Sequence, residues 1–262
     1  MPIGVIDSGV GGFSILAHLE REFPEARFVY LSDTKNFPYS EKSVAKLQTL
    51  AEQHITLLQQ LSCNPIVIAC NTLTVSALAH LRETFPQNTF IGTVPAVKPA
   101  SELLAPHSTV VVLATKNTAE SEYLQNLIAP FRHTTNFKIL GSTVLVEAIE
   151  DWDEDAITAE LELLLTPILE KETISGVVLG CTHFAFIQSY IEKLIPNEIL
   201  FFEPSWGIIK QVENHEGLFS RDEQFFSDMD RLNFLSTDPT KTAELQEKYL
   251  NLRELLPDID ET

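Results

Sequence analysis

The sequence predicts an α/β protein of two domains, each a mainly parallel sheet flanked by helices. Three observations carry that reading. Short apolar runs of strand length alternate with longer runs of helical spacing along the chain, as parallel sheets require. Two of those runs, residues 66–69 and 177–179, hand a cysteine and then polar side chains to a helical pattern: Cys70-Asn71-Thr72 and Cys181-Thr182-His183. The second half also restarts the pattern of the first, which predicts two domains related by pseudo-symmetry. Ligands of such sheets bind at the carboxyl ends of the strands. Two thiols delivered there predict an active site in a cleft between the domains.

Residues 4–6 read as the first strand, and Asp7-Ser8-Gly9-Val10-Gly11-Gly12 as a tight glycine-rich turn. Phe13, Leu16, Ala17, Leu19 and Phe23 then follow helical spacing. Strand, glycine turn and helix together point backbone N–H groups at an anion. The spacing is neither the dinucleotide fingerprint nor a P-loop, which needs Gly-Lys-Ser/Thr. An acid at Asp7 would repel a phosphate. A carboxylate substrate, with Asp7 near an amine or a thiol, fits better.

Residues 27–31 read as the second strand, ending at Ser32-Asp33-Thr34 and a loop through Phe37-Pro38-Tyr39-Ser40. An amphipathic helix over 43–61 leads into the first cysteine strand. A helix over 75–85, a strand over 90–93, a boundary at Val94-Pro95 and a helix over 97–104 follow.

The second half reads as a strand over 109–114, a polar helix start Thr115-Lys116-Asn117-Thr118, a helix over 119–128 and a strand over 138–141. Residues 147–172 hold ten acids and one base, with Leu161, Leu164, Leu165, Ile168 and Leu169 at helical spacing. That predicts one helix with an acidic exposed face. The second cysteine strand, a helix over 186–194 and a strand over 199–202 complete the pattern. Residues 205–262 are too short and too acidic for a separate enzyme domain. Their apolar residues Ile208, Ile209, Val212, Phe234, Leu235, Leu245, Tyr249 and Leu252 are expected to pack on the first half. The predicted domains are therefore 1–94 plus 205–262, carrying Cys70, and 95–204, carrying Cys181.

Composition narrows the function. A hydrophobic content of 44% over 262 residues excludes a disordered chain and allows two domains of ordinary size. No apolar run is long enough to span a bilayer, and no basic region precedes the first apolar stretch, so neither a membrane protein nor a signal peptide is expected. Three cysteines argue against a disulfide scaffold and fit a reducing cytoplasm. The net charge of -19 makes unspecific nucleic-acid binding unfavourable. Such an excess is ordinarily a solvated surface, and otherwise leaves room for a basic protein partner.

A cysteine at a strand end is most often a small buried hydrophobe, and Cys63, before Asn64-Pro65, stays in that class. Cys70 and Cys181 differ, because each precedes hydroxyl or amide side chains at a helix start, where the dipole favours thiolate. A zinc site needs about four ligands, and His183 is the only histidine close in sequence to either thiol. No metal is expected. A Cys181–His183 nucleophile for acyl transfer would leave Cys70 without a role. Two-base proton transfer uses both thiols: one removes a proton from a carbon and the other returns one on the opposite face.

These motifs together resemble the glutamate racemases, cofactor-independent enzymes of the Asp/Glu racemase family, from residue 3 to about 255. The resemblance lies in Asp7-Ser8-Gly9-Val10-Gly11-Gly12, Asp33-Thr34 with Pro38-Tyr39, Ala69-Cys70-Asn71-Thr72, Ala114-Thr115 to Thr118, and Gly180-Cys181-Thr182-His183. It implies that Cys70 removes the α-proton of D-glutamate and Cys181 that of L-glutamate, for peptidoglycan synthesis. It implies Asp7 as the helper of Cys70, His183 as that of Cys181, and Glu150 beside His183. Ser8, Pro38, Tyr39, Ser40, Asn71, Thr72, Thr118 and Thr182 match positions that hold the substrate. No cofactor and a homodimer are implied. The chain opens directly on its first strand, so no N-terminal extension is expected to host a cell-wall-precursor activator.

The chain departs from the family pattern at Ser40, where glycine is usual, at Leu73, and at Ser142-Thr143 and Glu147 ahead of Glu150. Of the motif segments only Thr115-Lys116-Asn117-Thr118 holds a base. The substrate carboxylates are therefore expected to rest on hydroxyls, amides and backbone N–H groups. Each of Ser8, Thr72, Thr118 and Thr182 reads equally well as an ordinary helix cap. His183 also reads as a structural hydrogen-bonding histidine and Glu150 as part of a solvated acidic face. The alternatives are an aspartate racemase of the same superfamily and an acidic protein-binding regulator.

Overall fold

The structure is a computed structural model that describes residues 1–215 and 231–257. By internal contacts the chain forms two compact units, Met1–Thr93 with Ser205–Leu255 and Val94–Pro204, with Leu256 and Pro257 grouping with the second. Residues 216–230 and 258–262, which sequence analysis assigns to the first domain, lie outside the described residues.

The first unit begins with β1 (Ile3–Asp7), α1 (Phe13–Glu22), β2 (Phe28–Ser32), α2 (Val44–Gln60), β3 (Ile66–Ile68), α3 (Asn71–Thr84) and β4 (Phe90–Gly92). Every residue of β1, β2 and β3 is buried, as expected of parallel strands covered on both faces. The α2 helix starts on Ser43, whose hydroxyl accepts the Lys46 N–H, and turns Leu47, Leu50, Ala51, Ile55 and Leu58 onto that sheet. Each of the leucine and isoleucine side chains contributes about 1.5–3 kcal/mol on burial.

The second unit comprises α4 (Val97–Leu103), β5 (Thr109–Ala114), α5 (Lys116–Ala119), α6 (Glu122–Ile128), β6 (Asn136–Gly141), α7 (Val144–Asp151), α8 (Glu154–Leu169), β7 (Ile174–Gly180), α9 (Gln188–Leu194) and β8 (Leu200–Phe202). Two expected helices are each broken in two. Ser121 accepts the Leu124 N–H and starts a new helix where one continuous run was predicted. Trp152 adopts a left-handed conformation, φ 53°, which ends α7 before Asp153 caps α8.

The chain returns to the first unit with α10 (Ser205–Glu213), β9 (Leu232–Ser236) and α11 (Thr242–Leu252). The apolar residues expected to pack back on the first half lie on α10, β9 and α11; α10 packs on α1 and β4, and β9, an edge strand the sequence reading does not name, pairs in parallel with β2. An aromatic cluster fixes it. The Phe13 ring lies 4.8 Å from Tyr30, 5.9 Å from Phe234 and 5.2 Å from Tyr249, joining α1, β2, β9 and α11.

The described strands form two all-parallel sheets, ordered β4-β3-β1-β2-β9 and β6-β5-β7-β8. Read from their first strands, both place the second strand on one side and the third and fourth on the other. The expected internal repeat is therefore present as a shared strand order, with β9 added to the first copy.

Candidate active site

In each sheet the chain reverses its direction of progress between the first and third strands. That is the switch point, where loops diverge and leave a crevice at the carboxyl edge. In the first unit β1 ends on Asp7 and β3 is followed by Cys70. In the second, β5 is followed by Thr115 and β7 by Cys181. The two cysteines thus occupy equivalent places in the two copies.

Cys70 is buried and precedes the first turn of α3. The helix begins at Asn71, four residues before the predicted start, so Cys70 meets its positive end directly. Asp7 is fully buried, and its Oδ1 accepts the Gly9 N–H at 3.0 Å, with the Ser8 hydroxyl 3.4 Å away. Gly12 makes this approach possible. A Cβ there would stand 2.8 Å from Asp7 Cβ, 2.8 Å from the Tyr30 hydroxyl and 3.1 Å from Ala69 Cβ.

The residues of this unit that the resemblance matches to substrate positions divide by their bonding. Tyr39 donates its hydroxyl to Asp33 Oδ2 at 2.7 Å. Burial first, then the negative charge of and hydrogen bond to Asp33, push its pKa well above 10, so it remains a phenol. The charges of Cys70 and Asp7 act in the same direction, which brings all four groups into one electrostatic neighbourhood. Ser40 Oγ and both amide atoms of Asn71 are buried without a hydrogen-bond partner. Buried polar atoms are rarely left so, and these are groups a ligand would satisfy. Pro38 is half-buried, Ser8 and Thr72 are buried, and the Tyr39–Ser40 turn packs on α3.

In the second unit Cys181 is buried, with its sulfur 3.7 Å from His183 Nδ1. The opposite ring nitrogen, Nε2, lies 2.8 Å from Glu150 Oε1. Burial works against a charged imidazole, but the hydrogen bonds to Cys181 and Glu150, with their negative charges, outweigh it. The His183 pKa therefore stands well above 6.5. A charged His183 can donate to the carboxylate on one side and to a thiolate on the other.

Glu150 thus turns inward from an acidic stretch, and its helix α7 packs on the turn carrying His183. The departing residue Ser142 builds that helix start: its hydroxyl accepts the Leu145 N–H at 3.1 Å and donates to Glu160 at 2.7 Å. Thr115 accepts the Thr118 N–H and donates its hydroxyl to Thr118 Oγ1 at 3.0 Å. Thr118 and Thr182 are both buried, while Lys116 is exposed. Among the described residues no cluster of three His, Cys, Asp or Glu side chains could hold a metal ion.

Residues 3–204 match the family described as Asp/Glu/Hydantoin racemase. The chain belongs to that family. As a member of the racemase family it is an isomerase. It is 33% identical to the glutamate racemase of Clostridium perfringens (strain 13 / Type A) over 258 residues, covering 96% of this chain and 97% of that protein. The glutamate racemase of Agrobacterium fabrum is 35% identical over 220 residues, covering 81% of this chain and 80% of its own. Among solved structures, Escherichia coli glutamate racemase in complex with L-glutamate and the activator UDP-MurNAc-ala superposes with a TM-score of 0.82 at 30% identity. That match covers 95% of this chain and 96% of the other. The Francisella tularensis enzyme, in complex with D-glutamate, gives 0.75 at 26% identity over 95% of this chain and 93% of its own.

Within this racemase, Asp33 is a buried residue that sequence reasoning did not assign to the site. It appeared only as part of a motif, because its partner Thr237 comes from a distant part of the chain.

Proposed function

We propose that this racemase interconverts L- and D-glutamate with two cysteines and no cofactor, supplying D-glutamate for peptidoglycan in the cytoplasm. The observation that carries the reading is the equivalent placement of Cys70 and Cys181, each after the third strand of its copy. The Cys181 sulfur lies 3.7 Å from His183 Nδ1, and Cys70 and Asp7 both act electrostatically on Tyr39; we assign His183 as the helper of Cys181 and Asp7 as that of Cys70.

Racemisation needs a base on one face of the α-carbon and an acid on the other. From D-glutamate the Cys70 thiolate takes the α-proton. The C–H electron pair remains on the α-carbon, delocalised into the adjacent carboxylate. The Cys181 thiol then gives its proton to the opposite face, leaving L-glutamate and a Cys181 thiolate. The reverse reaction exchanges the roles. A charged His183 stabilises the thiolate at Cys181, and Glu150 holds its ring in place. The unpartnered Ser40 hydroxyl and Asn71 amide, with Ser8, Pro38, Tyr39, Thr72, Thr118 and Thr182, are assigned to holding the substrate. The family resemblance supports a homodimer. No described helix is long and apolar enough to cross a membrane.

The test is chiral chromatography after incubating the purified protein with L-glutamate, D-glutamate and both aspartates. Conversion of either glutamate to an equal mixture supports the proposal. Conversion of aspartate alone moves the substrate, and conversion of none overturns the reading.

A further inference from the structure

The loop carrying Pro38, Tyr39 and Ser40 does not hold itself in place. It leaves β2 at Ser32, and the next residue, Asp33, is fully buried. The Asp33 backbone N–H donates to the Asp7 carbonyl at 2.9 Å, which ties the start of the loop to the end of β1. Its carboxylate gathers donors from three directions. Oδ2 accepts the Tyr39 hydroxyl at 2.7 Å and has His54 Nε2 3.5 Å away. Oδ1 accepts the Asn36 amide at 2.9 Å and the Thr237 hydroxyl at 2.8 Å.

Thr237 is remote in sequence and follows β9 directly. It does not act alone. The Thr34 and Ser236 hydroxyls lie 2.7 Å apart, the Lys35 N–H donates to Thr237 Oγ1 at 3.1 Å, and the Thr237 N–H donates to the Ser32 carbonyl at 3.0 Å. The end of β9 therefore grips Asp33 and both residues that follow it. Beyond this anchored base, Tyr39 is pinned by its hydroxyl, and the next residue presents the unpartnered Ser40 hydroxyl.

We propose that Asp33 is the positioning residue of the substrate loop and that Thr237 is its anchor from the far end of the chain. This inference rests on the glutamate racemase reading. Asp33 does not touch the reacting atoms. It fixes Tyr39 and thereby the place of Ser40, so its loss weakens substrate holding and leaves the thiols as they are. The added strand β9 gains a functional reason: it supplies the hydroxyl that completes the Asp33 shell.

The test compares the wild type with Thr237→Val, Thr237→Ser and Asp33→Asn in steady-state racemisation of L-glutamate, with melting midpoints measured alongside. A hydrogen bond to a charged group, lost in positioning, predicts a KM for T237V raised about tenfold. Its kcat should change less than about threefold. T237S keeps the hydroxyl and should return KM to the wild-type value, a rescue that a purely structural role does not require. D33N should raise KM at least as far as T237V. If D33N fails to fold, the Thr237 pair decides the matter. An unchanged KM in T237V with normal turnover, or a loss confined to the melting midpoint, overturns the inference and leaves the glutamate reading intact. A wild type that racemises no glutamate takes down both.

Discussion

Glu150 Oε1 lies 2.8 Å from His183 Nε2, and the two side chains are only 17% and 3% exposed. This contact makes the second half-site sensitive to pH. The folded pKa of His183 is raised above its unfolded value of about 6.5. Its contribution to stability is therefore fully present below pH 6.5 and is lost as pH rises through the folded value. Glu150→Gln removes the charge that helps raise it. The variant should be destabilised by ~2 kcal/mol near pH 6, and its deficit should shrink as pH climbs towards 10. Melting midpoints of both proteins across pH 6 to 10 check this. A deficit that grows with pH contradicts it.

Gly12→Ala tests the packing behind Asp7. The added methyl would meet Asp7, the Tyr30 hydroxyl and Ala69, all held in place by the sheet. Tyr30 cannot move aside freely, because its hydroxyl donates to the Gly9 carbonyl at 2.7 Å. Overpacking of this kind costs about 1–3 kcal/mol. Activity should fall more steeply than stability, since the displaced group is the proposed helper of Cys70. Thermal denaturation and racemisation rates of G12A give both numbers.

The fold was largely legible because buried parallel strands announce themselves as continuous apolar runs, and both cysteines stand at the ends of such runs. What escaped depends on tertiary contacts. Asn71, Thr72 and Thr74 are polar yet buried, so apolar periodicity begins only at Val75, although α3 starts at Asn71. The break at Trp152 lies within a stretch whose helical spacing continues on both sides. Edge strand β9 is mostly half-buried, with no continuous apolar run to mark it. In the site, the spacing Cys181-Thr182-His183 made that pair visible. The place of Glu150 beside His183 came only from the family resemblance, since acids surround it in sequence and no spacing marks it. Asp33 was hidden most completely, because Thr237 approaches it only through the pairing of β9 with β2.

Cys63 offers a control. Burial pushes its thiol up to about 12, and it packs beneath the first strand against Gly4. It should resist iodoacetamide in the native protein at pH 8 and react only after unfolding. Cys63→Ala should racemise at the wild-type rate. Peptide mass spectrometry and a rate assay check both statements.

Single substitutions of the two other cysteines address the mechanism. Cys70→Ser and Cys181→Ser should each lower racemisation in both directions by about a thousandfold or more, because each removes the proposed proton carrier for one face. Their melting midpoints should stay close to that of the wild type. A variant retaining a tenth of the activity would show that its cysteine is not the acid–base group.

The central claim is two-base proton transfer, and the most direct measurement is early-time racemisation of L-glutamate in deuterated water. Each thiol carries a single proton, and the one that protonates the product draws it from solvent. The D-glutamate first formed should therefore be deuterated at the α-carbon while the remaining L-glutamate is still protonated. Early D-glutamate that retains the substrate's own α-proton would mean one base serving both faces, and would contradict the account.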